Sequence, residues 1–402
     1  MKYSQISFII FLVIVFSSHI SMTHCVDGKG SISKAEEDDI EIERQLRVLN
    51  KKPVKTITTK VGDIIDCVDI YKQPAFDNPL LKDHKIQMIP RPILRETTRK
   101  TGSLSSTFRG LQSETCPSGT VAIRRTTRQE LVNAKYFVKK TKPIPANGPA
   151  NMGFHFVSAE EVIPRKKYFG AGASMSLHNL TVDPDQSSTS HIWIMNGARG
   201  QVNSIEFGLM KNPSIFGDSR TRLFGYWTRD EHRETGCYNI LCAGFVQIHW
   251  HITFGNQWAQ SSTYDQEPYD VLLYVHRAND THWWLHVHNE AVGYWPSNIF
   301  TNLGSASSVR YGGFASATSQ ISMPQMGNGH IPQLDNFNRT AFMSQMMYAN
   351  EAAHFLNIDP DSVHTMKSAN PRCYDIKFAG QKWDWGITMA YGGPGGPCDD
   401  SP

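Results

Sequence analysis

Tryptophan is absent from the first 192 residues of this 402-residue chain, yet nine follow from Trp193 onward. Large aromatic rings dominate packed cores, so the main core is expected in the C-terminal part. Charge is also sparse, at 19% of residues against 40% apolar, which excludes wholesale disorder. No apolar run after Phe16 approaches the roughly 20 residues of a membrane-spanning helix. Walker loops, GxGxxG fingerprints and GxSxG elbows are missing from the strand-rich region. The formal charge of +3 excludes a uniformly basic nucleic-acid binder. That sum conceals two opposed parts. Residues 1–150 hold 24 Lys and Arg against 15 Asp and Glu, a net of +9, which leaves −6 for residues 151–402.

Lys2, the unbroken apolar run Ile9–Phe16 and the small and polar residues up to Cys25 read as a secretory signal peptide over residues 1–25. Six cysteines then remain: Cys67, Cys116, Cys237, Cys242, Cys373 and Cys398. An even number in a secreted chain is read as disulfides, and six allow fifteen connectivities. The simplest follows chain order: Cys67–Cys116, Cys237–Cys242 and Cys373–Cys398. Their spacing does not resemble a zinc knuckle. Sequons at Asn179, Asn279 and Asn338 mark surface loops for glycans, while Asn212 is excluded by Pro213. A secreted, extracellular location follows, with no membrane association after signal removal.

The acidic-then-basic run within 33–50 predicts a short surface helix. Cys67–Leu81 and the Pro-containing stretch from Ile86 read as extended chain docked on another core. Between Lys139 and Ala150, three prolines, a glycine and a basic cluster predict a linker, where a boundary is placed. Beyond it, period-two alternation dominates. Phe245–Thr253 reads as a strand with Val246, Ile248, Trp250 and Ile252 on one face. Asp270–His276 and Thr281–Asn289 read as a hairpin. Such short strands with Gly, Asn and Asp punctuation predict an all-β antiparallel sandwich over 151–402. Gly392-Gly-Pro-Gly-Gly reads as a tight turn near Cys398.

In Asn203–Met210, Ile205, Phe207 and Leu209 alternate with Ser204, Glu206 and Gly208, so Glu206 is mid-strand on the face away from the apolar one. Paired histidines at His249/His251 and His286/His288 offer a zinc-site pattern, although exposed polar-face histidines fit the same spacing. Segments Cys67–Phe76, Asn203–Glu206, Thr235–Cys242, Gly293–Pro296, Gln325–His330 and Tyr391–Gly395 closely resemble the neprosin family of plants, from about residue 45 to the C-terminus.

The resemblance implies a secreted glutamic endopeptidase cleaving after proline at acid pH, without metal or cofactor. It also implies an N-terminal activation peptide, here 26–150, acting as an intramolecular cap. One Glu carboxylate activates water, and a second, protonated carboxyl polarises the scissile carbonyl. The first family Glu corresponds to Glu206. The second follows Gly312-Gly313, where this chain has Phe314. Two further departures place Leu209 where the family tends to have Trp and His191 where it has Gln. A phenyl ring cannot exchange the proton this chemistry needs, so impaired hydrolysis is expected, with Glu290 the nearest replacement in sequence. The alternative is a non-catalytic module binding proline-rich or cell-wall polypeptides, since proline rings stack on aromatic faces.

Overall fold

The computed structural model describes residues 34–87, 114–140, 153–258, 260–279, 281–318 and 322–398. The signal segment, Cys25 and most of the predicted linker lie outside these residues. Chain from Glu41 onward forms one compact unit, and residues 34–40 supply only the start of a helix. That helix, α1 (Lys34–Leu49), matches the predicted one and buries Ile42 and Leu49 against Leu131. It leads into β1 (Lys55–Thr58), β2 (Ile64–Asp69), β3 (Thr120–Arg124) and helix α2 (Arg128–Lys140). Lys139 and Lys140, read as the start of the linker, are therefore the last turn of α2.

The strands then follow in order: β4 (Phe154–Glu161), β5 (Gly170–Ser176), β6 (Gln186–Asn196) and β7 (Asn203–Lys211). After a one-turn helix α3 (Pro213–Phe216) come β8 (Arg222–Thr228), β9 (Cys237–Tyr238), β10 (Val246–Gln247) and β11 (Asp270–Arg277). Next are β12 (Trp283–Val287), β13 (Glu290–Trp295), β14 (Ser308–Ala317) and β15 (Ala341–Ala349). The last are β16 (Phe355–Asn357), β17 (Val363–Lys367), β18 (Asp375–Lys382) and β19 (Gly386–Gly392).

The strands build an antiparallel sandwich. One sheet has seven strands in the order β17-β4-β14-β6-β7-β8-β9; the other has nine in the order β10-β13-β12-β11-β5-β15-β19-β18, with β16 beside β15. Alternating residues Ile192, Ile194, Ile205, Phe207 and Leu209 point from the first sheet into the core, meeting Met175, Val271 and Leu273 of the second. The β11–β12 hairpin is as predicted, but it is buried on both faces, since Trp284 and His286 are as enclosed as Trp283 and Leu285.

The predicted strand Phe245–Thr253 is shortened to two residues. Past Gln247 the imidazole of His249 turns back, and its Nδ1 accepts from the amides of His251 (3.0 Å) and Ile252 (2.8 Å). Those amides are lost to any ladder, and Trp250 is left half exposed rather than in the core.

A three-stranded sheet, β1-β2-β3, rests on the sandwich. Val68, Leu81, Val121 and Ile123 join the main core, so the predicted docking of Cys67–Leu81 is observed. The polar contacts are specific: Gln73 and Gln247 exchange two hydrogen bonds (2.7 and 2.9 Å), and Ala122 N donates to His249 O at 3.1 Å. All three disulfides pair in chain order, Cys67–Cys116, Cys237–Cys242 and Cys373–Cys398. The glycine run after Tyr391 takes positive φ at Gly392, Gly393, Gly395 and Gly396, the turn expected beside Cys398.

Candidate functional site

The outward face of the seven-stranded sheet carries the candidate groups in registered rows. Glu206 of β7 lies opposite Trp193 of β6 and Tyr226 of β8, and Trp193 in turn lies opposite Arg310 of β14. One row on, His191 sits between Gly208 and Gly312; a further row pairs Phe314 with Thr189 and Phe156. Both glycines are required. A methyl at Gly208, whose φ is +155°, would lie 2.1 Å from Ser190 O, and one at Gly312 would lie 1.9 Å from Val157 O. They leave a trough occupied by the imidazole of His191.

His191 therefore connects the two positions that the sequence singles out. Its Nε2 is 3.8 Å from Glu206 Oε2, and its ring centroid is 6.2 Å from that of Phe314. Thr189 Oγ1 meets His191 Nδ1 at 2.7 Å and lies 3.2 Å from Phe314 O. Phe314 stacks on Phe154, with centroids 5.3 Å apart and an interplanar angle of 19°. An aromatic stack thus fills the place where the resemblance expects a carboxyl. Leu209 is different: it faces the core and is 3% exposed, so this departure lies outside the outward face.

Glu206 is largely enclosed, with its side chain 15% exposed. Burial pushes its carboxyl up to about 7, opposed by a 3.1 Å hydrogen bond from Ser204 Oγ. No carboxylate contributes to that rise. Burial also holds His191 well below the usual imidazole range, so the imidazole is neutral where the Glu206 carboxyl titrates, and the pair is fully neutral only below about pH 7.

A second imidazole, missed in the sequence, approaches from the turn after β8. His232 Nε2 is 3.7 Å from Glu206 Oε1, and its ring lies 5.0 Å from that of Tyr226. Glu231 and His232 both adopt left-handed backbone, with φ of 57° and 62°. Asp230 holds the turn by accepting from the amides of Arg233, Glu234 and Thr235, while His232 N donates to Thr228 Oγ1 at 3.0 Å. The available signal was the Thr228-x-Asp230…Thr235 pattern, whose side chains satisfy a tight loop.

The remaining sequence candidates lie apart from this cluster. Glu290 begins β13 in the other sheet, where His249 Nε2 is 3.6 Å away, and it does not stand beside Glu206. His286 stacks on His276 and not on a metal-like partner set with His249 and His251. Among the described residues no group of three His, Cys, Asp or Glu is arranged to hold a metal ion. Asn179 and Asn279 are exposed, and Asn338 lies half-buried in a short 3-10 turn. The Oδ1 of Asn179 accepts from Lys211 Nζ at 2.8 Å.

Helix α2 borders the same face. Phe137 packs on Tyr238 (centroids 6.2 Å apart) in a cluster with Met210, Ile215, Phe216 and Phe224. Phe224 in turn meets His191 edge-on at 5.6 Å. The N-terminal segment thereby reaches within two side chains of Glu206.

The sequence profile described as Neprosin matches residues 184–394, and that described as Neprosin activation peptide matches 56–159. The chain belongs to the neprosin family. The neprosin match includes Glu206, His191, His232 and Phe314, and α2 falls in the activation-peptide match. Among solved structures, scytalido-glutamic peptidase with a peptide-based transition-state analogue aligns at 10% identity and TM-score 0.33, over 60% of this chain and 97% of that one. SCP-B, a member of the eqolisin family, in complex with the tripeptide Ala-Ile-His, aligns at 9% identity and TM-score 0.30, over 60% and 96%.

Proposed function

We propose that this neprosin-family protein binds extended, proline-containing peptide segments on the outward face around Glu206 and His191, and that two-carboxylate hydrolysis is impaired in it. The observation that carries this reading is the Phe314–Phe154 stack at the second carboxyl position. Trp193 and Phe314, both partly exposed, supply aromatic faces for proline rings on either side of His191. In this reading residues 26–150 are the activation segment, and 151–402 form the binding domain. The segment caps the face through α2. Secretion and glycans at Asn179, Asn279 and Asn338 belong to the same proposal.

The test uses the full chain carrying Phe137→Ala, which loosens α2 from Tyr238. Saturable binding of a proline-rich peptide, undiminished by Glu206→Gln and without cleavage from about pH 2.5 to 6, is the expected result. A flat titration would overturn binding. Acid-dependent cleavage that vanishes in Glu206→Gln would overturn impairment.

A second reading is favoured by the two imidazoles on Glu206: hydrolysis in which His191 or His232 takes the place of the second carboxyl. It predicts cleavage with an optimum near pH 6–7, close to the carboxyl's raised value of about 7, lost in Glu206→Gln and in whichever of His191→Phe and His232→Phe removes the participating ring.

A further inference from the structure

On the outer face of the nine-stranded sheet, away from Glu206, stands a column of rings. Tyr274 and His276 of β11 lie opposite Gly172 and Gly170 of β5. Side chains cannot replace these glycines: a methyl at Gly170 would fall 2.8 Å from His276 Cα, and one at Gly172 would fall 2.5 Å from Tyr274 Cβ. His286 of β12 stacks between its neighbours, 4.7 Å and 19° from Tyr274 and 5.1 Å and 20° from His276. Phe355, the first residue of β16, stands edge-on to both Tyr274 (5.1 Å, 74°) and His276 (6.0 Å, 69°).

The two imidazoles are each 1% exposed. Both ring nitrogens of His276 and Nδ1 of His286 lack a hydrogen-bond partner among the described residues. A proton added to His276 would create a buried cation with no acceptor among the described residues, facing a second imidazole. Met347 and Ala349 of β15 and Phe355 of β16 are not ionisable, and among the described residues Glu290 raises Tyr274 by its charge while His276 in turn lowers His286. β16 is only three residues long and pairs with the end of β15; of its side chains Phe355 alone is buried, while Leu356 and Asn357 are exposed and core packing resumes at Ile358.

We propose that the His276–His286 column is an acid-released catch: a proton taken up by either ring breaks the stack and frees Phe355, opening the β16 flap while the Glu206 face stays closed. Burial holds His276 down to about 4, and burial together with His276 holds His286 well below the usual range. A depressed imidazole favours the closed state above its free value near 6.5, and that contribution is lost as pH falls toward about 4. Within this window each proton taken up shifts the balance about tenfold per pH unit.

Hydrogen exchange on the full chain tests the catch. After correction for intrinsic rates, protection at Phe355–Asn357 is expected to fall at least about tenfold between about pH 6.5 and 4.5, with β7 amides unchanged. In His276→Phe/His286→Phe, which keeps flat rings in the stack, that acid-dependent loss disappears. Flat wild-type protection, or an equal loss in the double variant, overturns the proposal. Should the double variant fail to fold, the wild-type ring protons decide: cooperative titration with flap opening supports the catch. Ordinary titration near pH 6.5 in a closed flap overturns it.

Discussion

Glu206 shows how one carboxyl can change meaning with its surroundings. In the sequence it is an acidic residue on the polar face of a strand, where solvent exposure is the ordinary expectation. In the fold, Trp193, Tyr226 and His232 close around it, and burial raises its affinity for a proton. The sign of the consequence is definite. A raised carboxyl contributes stability fully present below its unfolded value near 4.3, and lost as pH rises through about 7. Glu206→Gln removes that dependence. Its stability relative to wild type is therefore expected to rise by about 3 kcal/mol between about pH 4 and 8, read from denaturant melts at both ends. An unchanged difference across that range would show that the carboxyl titrates normally.

Phe314 is the complementary residue. Replacing it with Glu removes a stack worth about 1 kcal/mol and places a carboxyl on the far side of His191 from Glu206, two strands away. In the Phe137→Ala background, Phe314→Glu is expected to produce cleavage of proline-containing peptides below about pH 6. Peptide mapping by mass spectrometry checks this. Under the proposed impairment, the absence of cleavage in this variant would point to His191, which fills the trough between the two positions, rather than to Leu209, which faces the core.

At the scale of strands, the face depends on two places where no side chain fits. Gly208 and Gly312 flank His191 on neighbouring strands, and a methyl at either would lie 2.1 or 1.9 Å from a carbonyl oxygen, far inside van der Waals contact. Gly208→Ala is expected to cost about 3 kcal/mol or more, because the β6–β7 ladder must separate to admit it. Urea melts would show a lowered midpoint with a similar slope, and a neutral result would mean that the ladder yields locally.

The alternation of Ile205, Phe207 and Leu209 made β7 and the orientation of Glu206 legible, because one face of that strand is core and the other is not. The same rule misled at Trp250. Alternation counts side chains but not the backbone amides, and His249 Nδ1 takes two of those amides for a loop. The Thr228-x-Asp230…Thr235 pattern marks a tight turn but not its destination, and the left-handed backbone at Glu231 and His232 is what delivers the imidazole to Glu206. Disulfide order was readable because each pair closes a local loop before the next begins.

Across the whole molecule, the opposed charges of the two parts suggest a basic cap attracted to an acidic body. The buried contact between them has the reverse polarity. Asp63, at the β1–β2 turn of the N-terminal segment, accepts from Arg222 of β8 at 2.9 and 3.1 Å, and Arg222 is 1% exposed. Asp218 and Gly255 O satisfy the rest of the guanidinium, while Arg124 of the segment and Gln257 of the sandwich complete the bonding of Asp63. Net charge sets a long-range field that salt screens within about 8–10 Å; a desolvated, multiply bonded pair fixes register. Removing Asp63 takes one carboxylate from Arg222 and Arg124 while Asp218 and Glu130 still face them, at a cost of about 1.5–3 kcal/mol. Asp63→Ala is therefore expected to weaken the seat of the three-stranded sheet by that amount, and the loss should persist in high salt. Limited proteolysis of the full chain at low and high ionic strength reads it directly. Cleavage within the N-terminal segment should accelerate equally in both, whereas rescue at low salt would return the docking to the surface field.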